Sequence, residues 1–79
     1  MKISVKLFAS LGEYAPEGES AKPFSCEIEP ESTIKDLVDQ LGIPEGEARL
    51  LFVNGRTRKK DATLQPGDEV GIFPPIGGG

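Results

Sequence analysis

Histidine is missing from this sequence of 79 residues. Its absence removes the commonest general base, the commonest metal ligand and every Ser-His or Cys-His arrangement. Cys26 is the single cysteine, which excludes an internal disulfide framework and a cysteine-bound iron–sulfur cluster within one chain. Long apolar runs are lacking too: there is no signal-type h-region and nothing near the roughly 18 apolar residues of a membrane span. A soluble cytoplasmic protein without membrane contact is therefore expected. Positive charge is in deficit, and a net charge of −4 argues against nucleic acid as a partner. With no histidine, no metal site is expected, and a partner is expected to supply the catalytic groups for any chemistry the chain joins.

What is present describes one small globular domain. Hydrophobic residues make up 37% and charged residues 28%, both ordinary values. A chain of this length buries only about 60% of its unfolded surface, which leaves little capacity for an enclosed active site. Charge is unevenly spread. Ten of the thirteen acidic residues lie between Glu13 and Glu47, whereas Arg56, Arg58, Lys59 and Lys60 form a short basic run. That run is either a solvated strand end or a docking patch for an acidic partner or a phosphate-bearing ligand.

Periodicity orders the chain. In "KISVKLF" the residues Ile3, Val5 and Leu7 share one face and Phe8 falls on the other, which is strand spacing. The loop "ASLGEYAPEGES" follows, with Gly12, Pro16 and Gly18 as breakers and room for one helical turn over Ser10–Tyr14. "KPFSCEIE" alternates again with Phe24, Cys26 and Ile28 inward, so Cys26 reads as a buried small hydrophobe with a raised thiol pKa. Ile34, Leu37, Val38 and Leu41 form a helical stripe after a Ser32 or Thr33 cap, and Gly42, Ile43 and Pro44 stop the helix. Leu50–Val53 followed by Asn54-Gly55 reads as a type I′ hairpin, and Pro66-Gly67 as a type II turn before a last strand carrying Val70 and Ile72 inward.

The order strand, strand, helix, strand, strand, strand predicts an α+β fold: a mixed four- to five-stranded sheet packed on one amphipathic helix, the β-grasp arrangement of ubiquitin. The first two strands form a hairpin, and the last pairs with the first in mid-sheet. Outward-facing Phe8, Phe73 and Gly71, joined by Phe52 or Leu50, then make a partner-binding face, unless the early loop folds over Phe8.

The sequence ends "FPPIGGG". Three terminal glycines arise by chance about three times in ten thousand, so the ending calls for a reason. The expected division is a domain over 1–73 and a flexible tail over 74–79. Pro74 and Pro75 favour extended polyproline II, and with Ile76, Gly77, Gly78 and Gly79 they span roughly 20 Å. Glycines carry no Cβ and can thread a narrow channel.

The ending "GDEVGIFPPIGGG" and the loop "FASLGEYA" resemble the small subunit of molybdopterin synthase (MoaD). "TIKDLVDQLGIPEGEARLLFVNG" is similar to the sulfur carrier of the thiamine pathway (ThiS). Gly77 stands where the first group usually has Ala, Ser or Thr. Membership of the MoaD/ThiS family of ubiquitin-like sulfur carriers implies that the Gly79 carboxylate is the reacting group. An E1-like adenylating enzyme of the MoeB/ThiF type would use ATP to adenylate it, and sulfur transfer would leave a thiocarboxylate. The large subunit of molybdopterin synthase, or an equivalent acceptor enzyme, would receive the sulfur. The chain itself would then be a co-substrate without a bound cofactor. Three outcomes stay open: sulfur delivery to molybdopterin (or tungstopterin) or to thiazole, conjugation through Gly79 as a protein modifier, and a plain interaction domain with an inert tail.

Overall fold

The computed structural model describes residues 1–16 and 22–75; the loop glycine Gly18 and the tail residues Ile76, Gly77, Gly78 and Gly79 lie outside them. Five strands form one sheet: β1 (Lys2–Leu7), β2 (Phe24–Glu27), β3 (Leu50–Val53), β4 (Arg56–Thr57) and β5 (Glu69–Phe73), with the helix α1 (Ile34–Leu41) between β2 and β3. The strand order is β2-β1-β5-β3-β4. β1 and β5 run parallel at the centre, and the remaining pairs are antiparallel. This is the expected ubiquitin-like β-grasp.

One face of the sheet is apolar because β1, β3 and β5 each place alternate branched residues on it. Ile3, Val5, Leu7, Leu51, Val53, Val70 and Ile72 are all buried there, against Ile34, Leu37 and Val38 of α1. Leu41, the fourth residue of the helical stripe, is only partly buried and packs at the margin. Two further core residues, Leu11 and Leu64, come from segments without strand or helix periodicity. Leu11 sits in a short 3₁₀ helix, Ala9–Tyr14, close to the single turn expected over Ser10–Tyr14. Cys26 is half-buried rather than fully enclosed, as is Phe24. β2 is an edge strand paired only with β1, so its inward face is covered less completely than that of a central strand.

The ends of α1 follow from its flanking residues. Thr33 caps the start: its Oγ1 accepts from the Asp36 N–H at 3.2 Å, while the Asp36 carboxylate accepts from the Thr33 N–H at 2.9 Å. The next two N–H groups, which no helical carbonyl can satisfy, donate outward, from Ile34 to Ala62 O and from Lys35 to Lys60 O. Gly42 takes φ 79° and closes the last turn, and Ile43 enters the core. Asn54 (φ 52°) and Gly55 (φ 83°) supply the two left-handed residues of the β3–β4 hairpin turn.

Thr33→Ala should lower unfolding stability by about 1 kcal/mol in a denaturant titration, with the helical circular dichroism signal retained. The Thr33 backbone N–H, and then its hydroxyl, hold the Asp36 carboxyl below its ordinary pKa. A depressed carboxylate contributes stability above the unfolded-state pKa, and that contribution fades as pH falls below about 4. The acid-side loss should therefore be shallower in the Thr33→Ala variant. An unchanged midpoint would show that packing alone holds the helix.

Candidate functional site

The site is built on β5. Its inward residues Val70 and Ile72 belong to the core, which leaves Gly71 and Phe73 on the open face of the sheet. Register then selects their neighbours: Lys6 and Phe52 stand on either side of Gly71, and Leu50 stands beside Phe73. Phe8 lies one residue past β1, and its N–H donates to Ile72 O at 3.1 Å. That bond continues the parallel ladder by one step and brings Phe8 alongside Phe73.

The two rings stack, with centroids 3.9 Å apart and planes within 7°. Phe52 meets Phe73 edge-on at 5.5 Å and 71°. Such pairs contribute about 0.5–1.5 kcal/mol each beyond the area they bury. Lys6 Nζ sits 5.1 Å from the Phe8 ring centre, within cation–π range. The three phenylalanines are half-buried, and Leu50 is the exposed large apolar residue beside them, at 44% exposure.

Gly71 is the floor of this cluster. A Cβ there would lie 3.4 Å from Phe8 Cε2 and 3.8 Å from Phe52 Cβ, so any larger side chain would displace the Phe8 ring. The result is a shallow depression of about 480 Å³ walled by Lys6, Phe8, Phe52, Glu69 and Phe73. None of residues 9–16 lines it. Ala9, at φ 52°, turns the chain away immediately after Phe8, a conformation that costs an L-residue about 1 kcal/mol. The turn directs Leu11 into the core, so the described part of the early loop does not fold over Phe8.

Phe8, Phe52, Gly71 and Phe73 are thus gathered in one place, as expected. Pro74 follows half-buried and Pro75 exposed, so the tail departs beside the stacked rings; the expected reacting residue Gly79 lies outside the described residues. The basic run is divided. Arg56 lies on β4, whereas Arg58, Lys59 and Lys60 line a separate cleft together with Arg49. Arg49 was not anticipated as part of that group, because it stands alone in the sequence and joins the others only through strand register. Cys26 lines neither place. Its thiol accepts from Gln40 Nε2 at 3.6 Å, and burial, reinforced by the Glu27 charge, pushes its pKa up. Among the described residues, no group of three acidic or cysteine side chains is placed to hold a metal, and no helix is long and apolar enough to cross a membrane.

Fold and site together define a ubiquitin-like protein with an aromatic face at the root of its C-terminal segment. The family model for Mut7-C ubiquitin matches residues 1–77, and the chain belongs to that family. No curated protein matches the sequence significantly. Solved structures of the same fold include SAMP1 from Haloferax volcanii, at 23% identity over 100% of both chains with a TM-score of 0.72. A putative molybdopterin converting factor subunit 1 from Pyrococcus furiosus is 24% identical over 96% of this chain and 99% of that one, with a TM-score of 0.71. A complex of subunits 1 and 2 of the molybdopterin-converting factor from Helicobacter pylori matches at 22% identity over 100% of both chains, with a TM-score of 0.61. At these identities the likeness is one of fold, and that fold is shared with the MoaD proteins whose C-terminal pattern the sequence resembles.

Proposed function

We propose that the chain is a carrier protein whose Gly79 carboxylate, as the end of the mature chain, is activated and converted to a thiocarboxylate. The observation that carries this reading is the aromatic cluster centred on Phe73 of β5, the strand that leads directly into Pro-Pro-Ile-Gly-Gly-Gly. A partner seated on Phe8, Phe52 and Phe73 would hold the domain at the point from which the tail extends. An ionised carboxylate, with a reference pKa of about 3.3–3.7, attacks the α-phosphorus of ATP, and pyrophosphate leaves. Hydrosulfide, or a donor that releases sulfur at that oxidation level, then attacks the acyl carbon, the C–S bond forms as the C–O bond to AMP breaks, and AMP leaves. The chain supplies the carboxylate, while an E1-like enzyme of the MoeB/ThiF type supplies the ATP site and the catalytic groups.

The sulfur goes to molybdopterin or tungstopterin synthesis in this reading, which rests on the Phe-Pro-Pro ending and on the fold shared with molybdopterin converting factor subunit 1. The Helicobacter pylori relative was solved in complex with subunit 2, and a large subunit of that kind is the proposed acceptor. A second reading, conjugation to lysines through Gly79, is favoured by the fold shared with an archaeal protein named as a small modifier. Intact-mass measurement of protein purified from its native cells separates them. The carrier should show the mass increase of one oxygen replaced by sulfur. A branched glycyl-lysine peptide after proteolysis would favour the modifier. A chain extending beyond Gly79, or only the free carboxylate under conditions of active cofactor synthesis, would overturn the carrier reading.

A further inference from the structure

The second cleft lies away from the aromatic face, between the turn at Glu45–Glu47 and the segment that follows β4. Ala48 and Leu51 supply its apolar floor, and Arg49, Arg58, Lys59 and Lys60 supply its charge, in an open volume of about 720 Å³. Two backbone bonds fix its walls: the Arg49 N–H donates to Phe73 O at 2.9 Å and the Arg58 N–H to Leu51 O at 2.9 Å. The cations are not equivalent. Lys60 is held to the Glu45 carboxylate, whereas the side chains of Arg49, Arg58 and Lys59 form no ion pair among the described residues and are exposed. On a chain of net charge −4, these three form a local group of unpaired positive charge, and the acidic residues lining the same cleft are Asp61 and the paired Glu45.

We propose that this cleft docks an acidic segment of a protein partner, with its carboxylates on Arg49, Arg58 and Lys59 and an intervening apolar side chain on Ala48 and Leu51. Guanidinium groups present a planar fork that matches a carboxylate in two hydrogen bonds. The cleft also contains the Glu45 and Asp61 carboxylates, which repel a compact polyphosphate but leave room for a peptide whose charges are spaced along an extended backbone. The apolar floor fits a peptide and has no use for a phosphate.

The test is a titration of the ¹⁵N-labelled full chain with a capped peptide of alternating Glu and Leu, followed by amide chemical shifts. Shifts are expected at Ala48, Arg49, Arg58 and Lys59, weakening as salt is raised. Arg49→Glu with Arg58→Glu should weaken binding about tenfold, at an unchanged melting temperature. If that reversal disturbs folding, Arg49→Gln with Arg58→Gln should reduce affinity in the same direction. Equal binding of the matching Gln–Leu peptide would overturn the proposal, as would absence of shifts at any soluble peptide concentration. Tripolyphosphate moving the same amides at lower concentration than the peptide would assign the cleft to phosphate instead. Concentration-dependent shifts there in the free protein would assign it to a second copy of the chain.

Discussion

Capping the Gly79 carboxylate as an amide is expected to abolish pyrophosphate release with ATP and the cognate activating enzyme, at an unchanged melting temperature. The amide keeps the shape of the tail and removes the nucleophile. Deleting Gly79 keeps the chemistry, because Gly78 then carries the carboxylate, but retracts it by about 3.3 Å. Near-attack geometry tolerates far less than that, and misplacement by about 1 Å can cost a hundredfold. Loss in the truncated chain thus reports placement, whereas loss in the amide reports reactivity. Neither change alters a residue of the buried set that includes Leu7, Leu37 and Ile72, so stability is expected to stay within about 0.5 kcal/mol of the parent. Full activity of both forms would remove the carrier and modifier readings together.

Phe73→Ala is expected to weaken binding to the activating enzyme by about 30-fold or more, the effect of a central aromatic anchor. Phe73 is the ring shared by both aromatic pairs: it stacks on Phe8 and takes the edge contact from Phe52. Its removal opens the whole face, yet it is half-buried and outside the core. The folding cost should therefore be about 1–3 kcal/mol, mainly the two lost ring pairs. Calorimetric titration gives the first quantity and urea unfolding the second. Phe73→Leu, which retains apolar bulk without the flat ring, should fall between parent and alanine in affinity. Unchanged affinity for every partner that processes the tail would show that the aromatic face is not the docking surface.

The parts of this fold that could be read in advance are those with a local physical signature. The stripe of Ile34, Leu37 and Val38, the Gly42-Ile43-Pro44 stop and the Asn54-Gly55 turn each encode their conformation within a few residues. The open-face grouping of Phe8, Phe52, Gly71 and Phe73 was also legible, because period two assigns faces and the parallel β1–β5 pairing assigns neighbours. Burial of Leu11 and Leu64 was not. Each is a single apolar residue in an irregular segment, and only tertiary closure decides whether it is covered. The same holds for Arg49, whose place beside Arg58 and Lys59 depends on the β3 register. Half-exposure of Cys26 follows from β2 lying at a sheet edge, a property of strand order rather than of the alternating "FSCE" itself.

The central position of β5 has a consequence for how the molecule is made. The last of the five described strands lies between β1 and β3 and brings Val70 and Ile72 to the middle of the core. Until residue 73 has left the ribosome, no strand joins the β2–β1 and β3–β4 ladders, and the pairing of β1 with β5 spans nearly the whole domain, a contact of the kind that closes late. A prematurely released chain therefore lacks both the middle of its sheet and its tail. In the folded domain the segment that leads to the proposed reactive end follows a strand paired on both sides, so the aromatic face and the root of the tail form together, in the same step that closes the sheet.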